Sequence, residues 1–242
     1  MSMWMSIKPK YGGIYMKIKE VILYTNSLDG ISDFYVDVLE LPIIQENNEK
    51  ISFKTGTSIL TFNQSNEYEF PYYHFAFNIT ENKIEQALQW LKNKAVTINQ
   101  INGIDHYYDE SWNCHSIYFY DPLGNIVEFI ARHAIPEIEH GDFNSQDIKN
   151  ISEIGIPVED VQQASEILQK KYNVSVYKSS NNVFAPLGNE EGLFILSGLN
   201  RNWAGSDKKV KVFPLIVDIY NNIERNDNFL SYPYTIRETL CR

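Results

Sequence analysis

The sequence is poor in cysteine and in clusters of positive charge. Cys114 and Cys241 are the two cysteines in 242 residues, and there is no Cys-x-x-Cys pair, which excludes a disulfide framework and a structural zinc site of cysteine type. The chain has 31 acidic and 21 basic residues, and this net charge of −10 argues against nucleic acid or an anionic membrane as the main partner. It also contains neither of the common glycine-rich phosphate loops.

The sequence also lacks long apolar runs. No stretch reaches the roughly 18 consecutive apolar residues that a membrane-spanning helix needs. Residues 1–16 have no continuous apolar core of the kind found in signal peptides, and we expect them to form a loose N-terminal extension. Together with the scarcity of cysteine, these absences predict a cytoplasmic protein.

The rest of the chain repeats one order of strand-like and helix-like patterns. Residues 17–25 are rich in β-branched residues, residues 31–39 carry apolar side chains at helical spacing, and three short strand-like runs follow. The same order recurs over residues 72–132. The pattern therefore predicts an α+β protein with two βαβββ units in tandem.

The pattern restarts after a charged segment that contains proline. This segment, residues 133–149, has the composition of a linker. Residues 150–156 then resemble residues 17–23, with Glu153 in the place of Glu20.

Too few residues remain for the second copy to be complete. We expect residues 17–132 to form a complete domain and residues 150–220 to form a truncated copy of one βαβββ unit and one strand. Residues 221–242 would be a C-terminal tail. An incomplete sheet exposes an edge, so we expect the truncated copy to pack on the first domain or on a sister chain, which makes a homodimer possible.

The stretch from His115 to Ile130 predicts a β-hairpin. Two runs rich in Ile, Val, Phe and Tyr flank Asp121-Pro122-Leu123-Gly124-Asn125, a sequence suited to a tight turn. With Tyr120 opposite Asn125, alternation puts one row of side chains on one face: His115, Ile117, Phe119, Ile126, Glu128 and Ile130. Glu128 is the charged member of an otherwise apolar row. A carboxylate there is costly unless it is hydrogen-bonded or bound to a metal, and both explanations stay open.

The order of the elements and this hairpin resemble the vicinal oxygen chelate superfamily, which includes glyoxalase I, bleomycin and fosfomycin resistance proteins and extradiol dioxygenases. The hairpin motif is Tyr118-Phe119-Tyr120-Asp121-Pro122-x-Gly124-Asn125-x-x-Glu128. The resemblance covers residues 17–132 well and residues 150–219 weakly. It implies that tandem βαβββ units curl into a half-barrel sheet around a divalent metal ion.

The resemblance also implies metal ligands on the first strand of each unit and on the last strand of the second unit. The matching positions hold Glu20, His74 and Glu128. Alternation places Glu20 and His74 among apolar neighbours, so the residues themselves point to the same positions. A satisfied core histidine and a strand-end salt bridge are the structural alternatives for these two.

Two carboxylates and one histidine leave Mn²⁺, Fe²⁺, Ni²⁺ and Zn²⁺ as candidate ions. We expect the truncated copy to hold no metal, because Phe213-Pro214 stand where His74 stands in the first copy.

The resemblance favours a metal-dependent lyase or isomerase of glyoxalase type that acts on a small oxygen-chelating substrate. His115 is the candidate proton carrier, and Glu20 is an alternative base. The candidate substrate contacts are Tyr72, Trp112, Ile117 and Phe119. A binding protein without catalysis and a ring-cleaving dioxygenase are the other hypotheses. The carboxylate at Glu20 argues against the dioxygenase, because O₂-activating triads use two histidines.

Overall fold

The computed structural model describes residues 16–221 and 223–240, so residues 1–15 of the predicted extension lie outside the described ranges. The strands, in chain order, are β1 (Lys17–Thr25), β2 (Ile43–Glu46), β3 (Lys50–Thr55), β4 (Ser58–Gln64), β5 (His74–Ile79), β6 (Ile98–Asn99), β7 (Tyr107–Asp109), β8 (Cys114–Tyr120), β9 (Ile126–Arg132), β10 (Ile148–Val158), β11 (Phe184–Asn189), β12 (Gly192–Gly198), β13 (Leu215–Asn221), β14 (Arg225–Asn228) and β15 (Tyr234–Leu240). The α-helices are α1 (Ile84–Asn93) and α2 (Val161–Tyr172), and shorter helical segments cover Asp33–Val38, Glu81–Lys83 and Ser145–Asp147.

The strands form two mixed sheets, which confirms the predicted α+β class. The first sheet has the order β14-β15-β13-β1-β4-β3-β2. The second has the order β11-β12-β10-β5-β9-β8-β6, and β7 pairs with β8. Each sheet therefore contains one unit from the first half of the chain and one unit from the second half.

The sheets cross the predicted domain boundary. Strand β1 pairs antiparallel with β13, and β5 pairs antiparallel with β10. Residues 17–132 thus form only part of each sheet. This corrects the expectation of a complete first domain followed by a separate one. Strands β13 and β10 of the second copy pair with the first copy within the same chain, while β14 and β11 lie at the ends of the two sheets. A homodimer stays a prediction.

The predicted C-terminal tail is wrong for its described part. Residues 225–228 and 234–240 form β14 and β15, and β15 pairs in parallel with β13. Tyr234 and Ile236 are buried in the core, and these apolar side chains explain why this segment is a strand. From Leu215 onwards, the described residues form three strands, β13, β14 and β15, and no helix. The predicted linker, residues 133–149, overlaps the start of β10 by two residues, because β10 begins at Ile148.

The sequence favours both helices locally, through an apolar stripe in α1 and through the residues at both ends of α2. In α1, Ile84, Ala87 and Leu91 recur at helical spacing and are buried. Helix α2 begins after Asp160, whose side chain accepts a hydrogen bond from a backbone N–H of the first turn, and it ends at Asn173 with φ of 52°. Helix α1 packs on β8 and β9, and α2 packs on β11 and β12, so the helices cover one face of the second sheet. Neither helix in residues 16–221 and 223–240 is long and apolar enough to cross a bilayer.

Candidate metal centre and cavity

The β8–β9 hairpin differs by one residue from the predicted register. Tyr120 pairs with Ile126, not with Asn125. Asn125 belongs to the turn, because the Asp121 carboxylate accepts hydrogen bonds from its backbone N–H at 2.9 Å and from its side-chain amide at 2.7 Å. The turn is therefore one residue longer than predicted.

This shift turns β8 over relative to β9, since neighbouring side chains on a strand point to opposite faces. The face that carries Glu128 also carries Ser116 and Tyr118, and Tyr118 pairs directly with Glu128. The predicted row is wrong for its three members on β8. They lie on the opposite face: His115, Ile117 and Phe119.

Three of the predicted substrate contacts lie outside the cavity described below. Ile117 and Phe119 are fully buried in the main apolar core, where Phe119 packs edge-on against Phe129 with 5.2 Å between ring centroids. Tyr72 donates a hydrogen bond from its hydroxyl to the backbone oxygen of Lys209 at 2.9 Å. These contacts are structural, which corrects the sequence prediction for all three.

His115 lies in a histidine cluster on the outer face of the sheet. Its Nδ1 is 2.8 Å from Nε2 of His133, and His133 pairs through Nδ1 with Glu81. The Tyr108 ring lies 4.8 Å from the His115 ring between centroids. Burial, and then the neighbouring imidazoles, lower the pKa of His115. Because His115 is on the other side of the sheet from Glu128, the structure does not place it as a proton carrier for this site.

A buried trio lies on the inner face of the second sheet. His74, Glu128 and Glu153 come from the neighbouring strands β5, β9 and β10 and are 3–4% exposed. One ligand atom from each residue lies within 4.8 Å of the other two. Ala76 stands between the two glutamates in the register, and its small side chain leaves space between the carboxylates.

His74 presents one ring nitrogen to this space. Its Nδ1 is 3.1 Å from the backbone oxygen of Ile126, and its Nε2 is 3.6 Å from the Glu128 carboxylate. The hydrogen bond to Ile126 assigns the proton to Nδ1 and leaves a lone pair on Nε2. Burial, with a smaller contribution from the charge of Arg201, lowers the pKa of His74 to about 4, although the hydrogen bond to Ile126 opposes this shift. The imidazole is therefore neutral at physiological pH, as a metal ligand must be.

The two carboxylates lack enough positive charge among the described side chains. Glu153 forms an ion pair with the buried guanidinium of Arg132. Burial, and then the charge of Glu153, raise the pKa of Glu128 to about 8, while hydrogen bonds from Ser116 and Tyr118 oppose this rise. A divalent cation among these oxygens would remove the cost of the second buried charge. One imidazole nitrogen and two carboxylate oxygens fit such an ion.

Glu20 has no part in this trio, which corrects the predicted ligand set. It lies on β1 in the first sheet, where Thr61 donates a hydrogen bond to its carboxylate at 2.7 Å. The structure brings together His74 and Glu128 as predicted, and Glu153 takes the third position. Glu153 belongs to the second copy, for which the sequence predicted no metal, and it is one of the three candidate ligands. The signal was present in the sequence, because Glu153 stands at the position in residues 150–156 that Glu20 holds in residues 17–23.

The trio forms part of the wall of a cavity of about 260 Å³. Trp112, a predicted substrate contact, lines this cavity. The Trp203 ring packs over Gly155, where any side chain would overlap it, and lies 5.2 Å from the His74 ring between centroids. The remaining wall residues are Ile101, Tyr107, Asp109, Cys114, Ser116, Tyr118, Ile130, Phe184, Ile195, Ser197, Arg201 and Ala204.

Cys114 also lies in this wall. Burial raises the pKa of its thiol to about 12, so the thiol stays protonated at neutral pH. A protonated thiol is a poor nucleophile and a poor metal ligand. Cys114 therefore acts as a small apolar wall residue.

Comparison with known proteins places this chain in a family. The glyoxalase-like domain family matches residues 18–132. The metallothiol transferase FosB of Staphylococcus haemolyticus is 31% identical over 119 residues, which are 46% of this chain and 82% of that protein. FosB of Staphylococcus epidermidis is 28% identical over 116 residues, covering 46% and 78% of the two chains. The chain belongs to the glyoxalase-like family of the vicinal oxygen chelate superfamily.

Solved structures extend the likeness in fold to almost the whole chain. A candidate dioxygenase from Bacillus subtilis has a TM-score of 0.62 at 12% identity and covers 93% of this chain and 85% of its own. A glyoxalase I mutant from Zea mays has a TM-score of 0.59 at 11% identity and covers 93% and 94%. At these identities the likeness shows the fold alone, and it confirms the predicted glyoxalase-like arrangement with a second copy.

Proposed function

We propose that this protein is a metal-dependent enzyme of glyoxalase type, in which His74, Glu128 and Glu153 hold one divalent cation at the cavity. The observation that carries the proposal is the buried trio itself. Two carboxylates and a neutral imidazole share a space of ligand size beside a cavity of about 260 Å³. Without a cation, this burial of acidic groups is unfavourable.

The proposed reaction is a lyase or isomerase step on a small oxygen-chelating substrate. When bound, the cation would act as a Lewis acid on a substrate oxygen. Residues of the chain would orient the ligands and exclude water. Ser116 and Tyr118 hold the Glu128 carboxylate through hydrogen bonds, and Trp112 and Trp203 give the cavity apolar walls that exclude water.

A proton carrier for this step must be among the cavity residues. Glu128 is the best placed of them, because its carboxylate lies in the cavity wall at the candidate cation site, where it can accept a proton from a bound substrate. It replaces His115 and Glu20, which the sequence pattern favoured for that role.

A second candidate is transfer of a thiol to the substrate. It is favoured by the relatives, which are named metallothiol transferases. Because Cys114 is protonated, the reacting thiol would come from a second substrate. Turnover that requires a free thiol and consumes one thiol per product would support transfer, and turnover without any thiol would contradict it.

The remaining hypotheses are less well supported by the donor set. A ring-cleaving dioxygenase would use two histidines and one carboxylate, whereas this trio has one histidine and two carboxylates. A binding protein without catalysis would not need the buried acids at all.

The test compares two glutamates at matching positions on first strands. Glu153→Gln should lower the content of Mn²⁺ or Zn²⁺ in the purified protein at least tenfold, because it removes one ligand. Glu20→Gln should leave one ion per chain. The readout is elemental analysis after dialysis against limiting metal, together with circular dichroism to confirm folding.

His74→Ala supplies a second variant that does not disturb Arg132, and it should also lose the ion. The proposal fails if the unmodified protein binds no divalent ion. It also fails if Glu20→Gln, and not Glu153→Gln, removes the ion.

A further inference from the structure

Arg201 introduces a positive charge into the cavity that the proposed metal centre does not need. It lies in the connection between β12 and β13 and is half-buried in the cavity wall. Its guanidinium packs on the Phe184 ring, 4.9 Å from the centroid. In residues 16–221 and 223–240, no carboxylate forms an ion pair with it, and burial lowers its pKa against a smaller opposing effect of Tyr118.

This position is unfavourable for a structural arginine. Burying a guanidinium costs free energy unless an anion pairs with it. Arg132, the other guanidinium at this site, is paired with Glu153. Arg201 has no such partner, although stacking on Phe184 holds its side chain in place.

Arg201 lines the same cavity as the trio. A fixed positive charge in this wall repels a divalent cation. An anionic group between Arg201 and the metal centre would offset this repulsion.

The net charge of the site with a divalent ion bound also points to an anionic substrate. Its carboxylates are Glu128, Glu153 and Asp109, and Asp109 accepts two hydrogen bonds within its own turn, from Ser111 and from the backbone of Trp112. With a divalent ion bound, the ion, Arg132 and Arg201 together exceed these three acids by one positive charge. A substrate with one negative charge would neutralise the site.

We propose that Arg201 binds an anionic group, a carboxylate or a phosphorus oxyanion, on the substrate of the proposed metal-dependent enzyme. The inference rests on the proposed function and adds the charge of the substrate to it. It also gives the second half of the chain a part in recognition. The family match ends at residue 132, so Arg201 lies outside the region that this chain shares with the family.

The experiment measures the binding of small anions with and without zinc. Acetate and methylphosphonate represent the two anion classes, and neutral acetamide is the control ligand. The thermal midpoint of the zinc-loaded protein should rise with at least one of the two anions and not with acetamide. The anion that binds more tightly identifies the class.

Three variants assign the binding to Arg201. Arg201→Gln should weaken the binding of the anion at least tenfold while keeping one zinc ion per chain, which also shows that the variant folds. Arg201→Lys should keep part of the affinity, because it retains the charge but loses the bidentate fork. Lys211→Gln is the matched control, since Lys211 is exposed on the same connection and lies outside the cavity.

The two proposals fail in different ways. Zinc binding together with an anion affinity that Arg201→Gln does not change overturns the role of Arg201 and leaves the metal centre intact. Anion binding that depends on Arg201 in a protein that takes up no divalent ion supports the anion site and overturns the proposed function. If neither anion raises the thermal midpoint of the zinc-loaded protein, the role of Arg201 is also overturned.

Discussion

At the residue scale, the protonation of Glu128 connects the metal centre to stability. Its pKa of about 8 is raised first by burial and then by Glu153, so the folded metal-free protein holds a proton that the unfolded chain loses near pH 4.5. Stability therefore falls as the pH rises through this window, because the folded state binds more protons than the unfolded state. His74 acts in the opposite direction between pH 4 and 6.5, where its lowered pKa makes stability rise with pH.

We therefore predict a decline in the stability of the metal-free protein between pH 6.5 and 8. The slope due to Glu128 is at most about 1.4 kcal/mol per pH unit, the value for one proton. Glu128→Gln should remove this slope, and Glu20→Gln should keep it. Urea unfolding in the presence of a chelator measures both. An unchanged slope in Glu128→Gln would show that another group titrates.

The sequence predicted two of the three residues of the trio for sound physical reasons. Alternation places Glu128 and His74 among apolar neighbours, and a polar side chain in such a position must have a partner. It could not distinguish Glu20 from Glu153, because both follow the same local pattern. The choice depends on strand pairing between distant segments, which no local pattern encodes.

At the element scale, the β8–β9 hairpin shows that a register shift of one residue moves a side chain to the opposite face of the sheet. The sequence predicted both strands and the turn between them. It missed the register because Asn125 could have ended either the turn or the strand. The hydrogen bonds to Asp121 decide the matter, and they are visible only in three dimensions. A shift of one residue moved His115 out of the cavity and Tyr118 into contact with Glu128.

The connection between β12 and β13 gives a test at this scale. Gly205 has φ of 61°, and an added Cβ would collide with the ring of Tyr118, whereas Gly103 has φ of 78° and open space around it. Gly103→Ala should cost about 1–2 kcal/mol of stability from the left-handed backbone alone.

Gly205→Ala should cost about 1–3 kcal/mol more than this, because of overpacking against Tyr118. It should also change the fluorescence of Trp203, which lies on the same connection. Equal losses of stability in the two variants would mean that the β12–β13 connection shifts to accommodate the added Cβ without displacing Tyr118. Chemical unfolding of both variants makes the comparison.

At the scale of the whole molecule, the halves of the chain are joined by strand pairing. The sequence predicted the repeated units but not which units share a sheet. The first strands of the units, β1, β5, β10 and β13, have similar patterns, so each could pair with any of the others. The long-range pairing of β1 with β13 and of β5 with β10 is a property of the folded chain.

This pairing predicts that a cut between the halves leaves one particle. Ile138 is 66% exposed in the segment between β9 and β10, so a protease site inserted there should be accessible. The cleaved protein should elute as a single peak in size-exclusion chromatography and give two bands on a denaturing gel. The uncut variant is the control, and separate elution of the two fragments would contradict the cross-paired sheets.

Glu153 lies in the second half of the chain, and this position has a consequence for how the gene can evolve. Neither half of the gene can keep the candidate centre alone, since one half supplies His74 and Glu128 and the other supplies Glu153. Selection on the chemistry therefore acts on both halves together. The opposite sheet, where Glu20 bonds to Thr61, supplies no member of the trio.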